Sequence, residues 1–384
     1  MPTTQHALTV KHSVNGNGHQ SHTLNGHAQA KTRPSWIESG NGVRAENVPG
    51  VYSSSYDLEV LAENGAIDAK EFKRFQQRTR LKTMYWRAYW TRGAIIEAGG
   101  RADFPNRAGA VIVFMHGWDG SGAIWENLPA QVCEAERDAL VLVPDVNGFG
   151  RSPFLEPEQL EFNECNPKAN MRAVEEWLAL LRVLGGRRKA PVTFVGHSMS
   201  GAALFYLNEK LWEKHQVGRV AIAPALLPND TLRKGFYRTL GLGIWATYQL
   251  QLNRLSETLS PMIVNRLIAG ASKAVQSEHM RVFKQTSKST LGHTFFAMGH
   301  AKQPPPRKQW ERFSVVLGHD DRLVGLGAML DTLVELGFNS RQVKVVFGDH
   351  YFLSVGRRSR PLHEVSRAIA LEEIHNVVAQ TRKA

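Results

Sequence analysis

The chain has 384 residues, of which 42% are hydrophobic, and its formal net charge is +12. This length and apolar content are typical of a soluble globular protein with a large buried core. Its two cysteines, Cys133 and Cys165, exclude a disulfide framework and favour a reducing, cytoplasmic location. The positive charge alone does not indicate nucleic-acid binding, and no nucleic-acid motif is present.

Residues 1–49 are rich in Asn, Gly, His, Ser and Thr and have no helical or alternating period. A disordered N-terminal tail is therefore predicted. Its start has no apolar segment of the kind that signal peptides carry. Irregular spacing favours a solvated tail over a metal site for its five histidines. These are His6, His12, His19, His22 and His27.

Capping-box spacing predicts a helix over residues 68–78. Alternation over residues 84–90 predicts an early antiparallel strand at the edge of a sheet. Residues 110–115 are a continuous apolar run, typical of a strand that is covered on both faces. That run leads into a glycine-rich loop at 116–122, which can aim a backbone N–H at a developing oxyanion.

Residues 196–201 read Gly-His-Ser-Met-Ser-Gly and follow a buried strand predicted over 192–195. Ser198 is thus expected at a sharp strand-to-helix turn, a nucleophile elbow that presents its hydroxyl clear of the backbone. Ser200 stands where the usual Gly-x-Ser-x-Gly pattern has its second glycine. Serine is also small, so the turn is expected to form. A strand followed by a serine helix cap is the alternative that this pattern alone leaves open.

Strand and helix patterns alternate on both sides of this turn, with strands predicted over 139–143 and 219–224. This alternation predicts a doubly wound, mostly parallel sheet. It stops over residues 227–308, where the pattern is mostly helical and rich in apolar side chains.

The excess positive charge is concentrated in this helical segment. Residues 229–308 hold twelve Lys or Arg against three Asp or Glu, a net charge of +9. Such a potential could attract an anionic substrate or an anionic lipid surface, whereas an ordinary solvated face is the alternative.

The C-terminal part returns to alternation, with strands predicted over 313–317 and 343–347 and a helix over 326–336. Both strands are expected to be buried, and their following loops meet at one sheet edge. These loops carry Asp321 and His350, so Ser198, an acid and a histidine occur in the order that an elbow serine requires.

The chain resembles the α/β-hydrolase superfamily from about residue 81 to its end. His-Gly at 116–117 is similar to the oxyanion-loop dipeptide of this family, and residues 144–152 resemble its D-x-x-G-x-G-x-S turn. The resemblance implies an α/β fold with a doubly wound, mostly parallel sheet and a helical cap. The expected organisation is a tail at 1–49, a core formed by 50–226 and 309–384, and a cap at 227–308.

The resemblance also implies the roles of the site residues, position by position. Ser198 would be the nucleophile, Asp321 the acid and His350 the base. The backbone N–H groups of Trp118 and Met199 would form the oxyanion hole.

Three other residues near these positions could be mistaken for members of the catalytic set. His116 shapes the loop in this family and does not carry a proton. Asp321 is preferred to Asp320 because the acid of the family usually falls three places after the strand-ending glycine. Asp349 is a weaker alternative, because an immediate neighbour of His350 cannot easily turn its carboxylate onto that ring.

The predicted function is therefore an esterase- or lipase-like serine hydrolase that cleaves a carboxylic ester or related acyl bond through an acyl-enzyme on Ser198. The expected substrate is a small molecule with an apolar part, and an anionic or lipid-like substrate stays open. No cofactor, metal, nucleic acid or transmembrane segment is expected, whereas peripheral membrane contact stays open.

Two alternatives use the same fold. The triad could serve an acyltransferase, a C–C bond hydrolase or a lyase. The Gly-His-Ser-x-Ser form of the elbow also resembles small-molecule sensors of the superfamily, in which the triad turns over slowly.

Overall fold

The computed structural model describes residues 43–44, 48–91, 108–184, 189–226, 230–250, 268, 270–304, 310–354 and 360–384. The predicted tail at 1–49 lies outside these residues except for positions 43–44 and 48–49. Residues 43–44 form a short strand that pairs with the next one, so the sheet begins before the expected boundary. A two-residue pairing has no sequence period by which it could be recognised.

A single nine-stranded sheet runs through the described residues, in the order β1-β2-β3-β5-β4-β6-β7-β8-β9. The pairs from β1 to β5 along this order are antiparallel, and all later pairs are parallel. The strands are β1 (Val43–Arg44), β2 (Val51–Asp57), β3 (Tyr85–Thr91), β4 (Ala110–Met115), β5 (Ala139–Pro144), β6 (Val192–His197), β7 (Val217–Ile222), β8 (Phe313–Gly318) and β9 (Val343–Val346).

The strands β4 to β8 are buried along their whole length. Their near-continuous Val, Ile, Leu, Phe and Ala composition is what a strand covered by helices on both faces requires. This burial confirms the doubly wound, mostly parallel sheet that the alternating pattern predicts.

Helices account for most of the remaining described residues. The C-terminal helix α11 packs on the central strands β6, β7 and β8, and α4 places Trp177 edge-on against Trp86 of β3 with ring centroids 5.3 Å apart. The helices are α1 (Leu58–Glu63), α2 (Ala69–Thr79), α3 (Leu128–Ala135), α4 (Pro167–Leu180), α5 (Met199–Ala203), α6 (Glu209–Trp212), α7 (Thr231–Gln249), α8 (Lys273–Gln285), α9 (Lys288–Met298), α10 (Leu326–Glu335) and α11 (Arg360–Lys383). Of these described helices, none combines the length and apolar character needed to cross a bilayer.

Two predictions about the outer strands are wrong. The strand β3 is antiparallel as expected but does not lie at the edge, because β2 and β1 continue the sheet beyond it. The reason is that β2 reads Val-Tyr-Ser-Ser-Ser-Tyr-Asp, which has too few apolar residues to signal a strand. The strand β9 is the opposite edge and is only partly buried, with Val345 47% exposed.

The segment between β7 and β8 contains α7, α8 and α9, as the mostly helical pattern predicts. Helices α7 and α9 approach closely through Gly241 and Gly292: a β-carbon built on Gly292 would lie 2.8 Å from the carbonyl oxygen of Gly241. We call residues 227–308 the helical insertion.

Candidate active site

Ser198 lies between the end of β6 and the first residue of α5. Its backbone has φ 53° and ψ −117°, a conformation that side-chain-bearing residues rarely adopt. Strained backbone of this kind occurs at functional sites, where the surrounding structure holds it in place. Here the amide of Ser198 donates to the carbonyl of Ile222, and its own carbonyl accepts from Ala202 and Ala225.

Ser200, the departure from the usual elbow pattern, has a specific set of partners. Its hydroxyl donates to the carbonyl oxygen of His116, and it accepts a hydrogen bond of 3.0 Å from Nδ2 of Asn170. The extra hydroxyl therefore ties the elbow to the loop that follows β4, in a position where glycine could make no such bond.

The three predicted side chains form one chain of hydrogen bonds. Nε2 of His350 lies 2.8 Å from Oγ of Ser198, and Nδ1 of His350 lies 2.8 Å from Oδ2 of Asp321. Each follows a different strand, β6, β9 and β8, and the carboxyl ends of these parallel strands share one sheet edge. With Nδ1 donating to Asp321, Nε2 can accept the serine proton, so this arrangement can activate the hydroxyl.

The carboxylate of Asp321 is held in its charged form. Burial alone would raise its pKa, but the neighbouring His350 and the amides of Leu323 and Val324 outweigh burial and lower the pKa below its ordinary value. Both amides donate to Oδ1 at 3.0 Å, which leaves Oδ2 for His350.

The two alternative acids lie elsewhere. The side chain of Asp320 is 52% exposed, and its Oδ1 lies 2.9 Å from Nδ1 of His319. Asp349 accepts from the amide of Tyr351 at 2.8 Å. Among the three aspartates, the structure places Asp321 on the imidazole of His350.

His197 belongs to the Gly-His-Ser-Met-Ser-Gly motif, but the sequence alone indicates no role for it. Its Nε2 donates to the carbonyl of His350 at 3.0 Å, and the two rings lie 4.8 Å apart. Burial and the neighbouring His350 lower the pKa of His197 to about 3, so the ring is neutral at pH 7. A neutral ring can hold the backbone of His350 in place without adding charge.

His116 is a second buried, neutral histidine. Its Nδ1 donates to the carbonyl of Gly117 at 2.7 Å, and its Nε2 accepts from the amide of Val146 at 2.8 Å. Burial lowers its pKa to about 4. Since both nitrogens hold backbone groups, His116 shapes the loop and is not available to carry a proton, as expected.

Trp118 and Met199, the predicted oxyanion-hole residues, both lie next to Ser198. Met199 is the first residue of α5, and the first N–H groups of a helix have no partner within it. Trp118 follows Gly117, where an added β-carbon would lie 2.9 Å from Cβ of Ser198, so this loop passes directly beside the serine. The indole Nε1 of Trp118 donates to Oγ1 of Thr294 at 3.0 Å and so connects the loop to α9.

A cavity of about 20 Å³ lies beside Ser198. This volume is enough for about one water molecule. The helical insertion contributes about half of the lining. The cavity is lined by Trp118, Asp119, Ser198, Tyr237, Ile268, His279, Phe295, Met298, Leu323 and Tyr351.

Two lining residues, Asp119 and His279, are polar and were not predicted as site residues. Asp119 belongs to the glycine-rich loop at 116–122, and its place in this predicted oxyanion loop could have marked it as a site residue. His279 belongs to α8, and its sequence spacing does not distinguish it from the packing residues of the insertion. Within the described parts of the chain, no three His, Cys, Asp or Glu side chains are grouped so as to hold a metal ion.

Comparison with known proteins adds the family and the fold. Residues 112–368 match the family described as the alpha/beta hydrolase family. No curated protein sequence matches the chain. Among solved structures, an esterase from Exiguobacterium antarcticum is 13% identical with a TM-score of 0.51, covering 77% of this chain and 96% of that chain.

Two further structures are similar. A carboxylesterase structure from Nitrososphaera gargenis is 12% identical with a TM-score of 0.50, covering 79% of this chain and 96% of that chain. A protein of Salmonella enterica, provisionally described as an acyltransferase, is 13% identical with a TM-score of 0.54, covering 88% of this chain and 98% of that chain. At these identities the likeness shows the fold alone.

Proposed function

The chain belongs to the alpha/beta hydrolase family, and from this premise we propose that it is a serine hydrolase of the esterase or lipase type. The reaction is cleavage of a carboxylic ester or related acyl bond. The observation that carries the proposal is the continuous hydrogen-bond chain from Ser198 through His350 to Asp321.

In the proposed reaction, Oγ of Ser198 attacks the carbonyl carbon while Nε2 of His350 takes its proton. The alcohol leaves with that proton, and the acyl group stays on Ser198. Water then attacks the acyl-enzyme, with His350 again acting first as base and then as acid. Asp321 stabilises the imidazolium and keeps Nδ1 as the donor. The lowered pKa of Asp321 supports this role, because the carboxylate stays charged at neutral pH.

The tetrahedral intermediate carries a negative charge on the former carbonyl oxygen. We assign its stabilisation to the backbone N–H groups of Trp118 and Met199. Support comes from the position of Met199 at the start of α5 and from the close approach of Gly117 to Ser198.

The substrate has an apolar part that would occupy the cavity beside Ser198. Support comes from the lining, which includes Ile268, Phe295, Met298 and Leu323. A space of about 20 Å³ cannot hold an acyl chain, so lining side chains must move when substrate binds. Those of the helical insertion are the candidates, which is the sense in which the insertion acts as a cap.

The proposal is tested by labelling with a fluorophosphonate probe, followed by assays on p-nitrophenyl esters of graded chain length. We expect a single labelled peptide containing Ser198 and steady turnover of at least one ester. Product analysis with and without an added alcohol distinguishes hydrolysis from acyl transfer. An unlabelled Ser198 together with no ester turnover in folded protein would contradict the proposal.

A further inference from the structure

Two buried polar residues face the cavity beside Ser198 and have no part in the proposed proton relay. Asp119 and His279 are each 1% exposed, and both line the cavity together with Ser198. Among the described residues, Oδ1 of Asp119 and Nε2 of His279 have no hydrogen-bond partner. Burying a polar atom without a hydrogen-bond partner destabilises the folded protein, so an arrangement of this kind calls for an explanation.

The tautomer of the His279 ring follows from the partner of its Nδ1. Its Nδ1 lies 2.5 Å from the carbonyl oxygen of Asp119, and a carbonyl can only accept. Nδ1 therefore carries the proton, and in the neutral ring Nε2 is an acceptor. His279 thus presents a lone pair as its unpartnered atom.

Asp119 presents a second acceptor. Burial raises the pKa of its carboxyl to about 6, against the opposing effect of His279, so at neutral pH the carboxylate form dominates. An ionised carboxylate oxygen can only accept hydrogen bonds. The two unpartnered atoms therefore have the same requirement, which is a donor.

The backbone of Asp119 is itself unusual. Its φ is 56°, in the left-handed region that few residues other than glycine occupy. The left-handed conformation thus falls on Asp119, which lines the cavity, and not on the neighbouring Gly120. Backbone strain of this kind clusters at functional and binding sites.

We propose that Asp119 and His279 form a polar subsite that accepts a hydrogen bond from a hydroxyl group on the substrate. This inference rests on the proposed function, because the hydroxyl is placed on the part of an ester that enters the cavity beside Ser198. The remaining lining is largely apolar, so the subsite selects an acyl chain that carries a hydroxyl over one that does not.

A subsite of this type discriminates strongly between the two kinds of ester, because binding of the ester without a hydroxyl leaves buried acceptors unpaired. An analogue that lacks the hydroxyl buries both acceptors unpaired, whereas the hydroxyl satisfies one of them. We expect a preference on the order of tenfold to a hundredfold in kcat/KM.

The test compares p-nitrophenyl esters of butyrate that carry a hydroxyl at carbon 2 or carbon 3 with isosteric esters that carry a methyl group there. The native enzyme is expected to prefer one hydroxy ester over its methyl isostere by roughly tenfold or more. This comparison needs no variant. An equal or better rate on the methyl isostere at both positions would overturn the inference.

Variants of His279 test whether its ring binds the substrate hydroxyl or only packs against its neighbours. His279→Asn keeps a donor near the place of Nδ1 but removes Nε2, and the preference is expected to fall by about threefold or more, while Asp119 stays as the second acceptor. His279→Gln places a polar group near Nε2 and is expected to keep more of the preference than His279→Asn. A preference that stays at the native value in folded His279→Asn would contradict the assignment.

The matched control is His293→Asn. His293 is also a buried histidine of the insertion with an unpartnered Nδ1 among the described residues, but it does not line the cavity. It is expected to leave the preference and the rate on butyrate unchanged. Turnover of the esters without discrimination would refute only the subsite, whereas no turnover and no labelling of Ser198 would refute the proposed function together with it.

Discussion

Asp320 and Asp321 are adjacent in sequence but have different surroundings. The carboxylate of Asp321 contacts His350 and two backbone amides, whereas the side chain of Asp320 is 52% exposed. In Asp321→Asn, the amides keep Oδ1 and the new NH₂ group faces Nδ1 of His350. The ring must then carry its proton on Nε2, where it can no longer accept one from Ser198.

We therefore expect Asp321→Asn to lower kcat on the order of ten-thousand-fold while the protein stays folded. The matched variant Asp320→Asn is expected to change kcat by less than about threefold, because an exposed charge contributes little. Steady-state kinetics on one ester compare the two variants. A larger loss in Asp320→Asn would reverse the assignment of the acid.

His197 makes stability depend on pH. Its pKa is lowered to about 3 in the folded protein, whereas an unfolded histidine titrates near 6.5. The unfolded chain therefore binds the extra proton as the pH falls below about 6.5, and the folded state loses stability progressively down to about pH 3. By pH 5 the loss from this residue is about 2 kcal/mol.

His197→Gln keeps an amide donor for the carbonyl of His350 but cannot titrate. We expect it to be less stable than the native protein at pH 7.5, with a difference that shrinks by about 2 kcal/mol at pH 5. Urea unfolding at both pH values measures this difference. Other titrating groups, such as His116 and Asp145, are common to both proteins and cancel. A difference that is the same at both pH values would contradict the neutral, buried ring.

At the scale of elements, helices α7 and α9 meet where neither has room for a side chain. A β-carbon on Gly241 would lie 2.6 Å from the amide nitrogen of Phe296, whereas a β-carbon on Gly243 would meet no atom within 4 Å. The two glycines lie two residues apart in the same helix and form a natural pair for comparison.

Gly241→Ala is expected to destabilise the protein by about 1–3 kcal/mol, because the helices must separate. Gly243→Ala is expected to stabilise it by up to about 1 kcal/mol, since alanine favours the helix over glycine. Thermal unfolding midpoints that shift in opposite directions would agree with this packing. Equal shifts in the same direction would mean that the two helices do not meet at Gly241.

The helices and strands also show which sequence patterns were sufficient to predict the fold and the candidate site. The central parallel strands are unbroken apolar runs, so their positions were predicted closely, and the loops with Ser198, Asp321 and His350 followed from them. The outer strands β1 and β2 carry no such run and were missed. His279 was missed because its contact with Asp119 depends on how α8 packs over the core, which no local period encodes.

At the scale of the whole molecule, positive charge is concentrated in one part of the chain. The helical insertion holds a net charge of +9 over residues 229–308, out of +12 for the whole chain. The insertion lines about half of the cavity beside Ser198, so its potential is expected to raise the encounter rate of anionic molecules, and added salt is expected to screen this effect.

We expect kcat/KM for a butyrate ester of a sulfonated nitrophenol to fall as salt is raised from about 20 mM to about 500 mM. The value for p-nitrophenyl butyrate is expected to change far less, because this ester is neutral. The ratio of the two values is the measurement. A ratio that does not depend on salt would leave the basic insertion as an ordinary solvated surface.

Ser198 is the residue proposed to attack the ester, and the most direct measurement of this role is the turnover of purified Ser198→Ala on an ester that the native enzyme cleaves. Circular dichroism and the unfolding midpoint serve as controls for folding. We predict that kcat falls on the order of a million-fold and that no acyl adduct forms. A folded Ser198→Ala protein that hydrolyses the ester at the native rate would show that Ser198 is not the nucleophile.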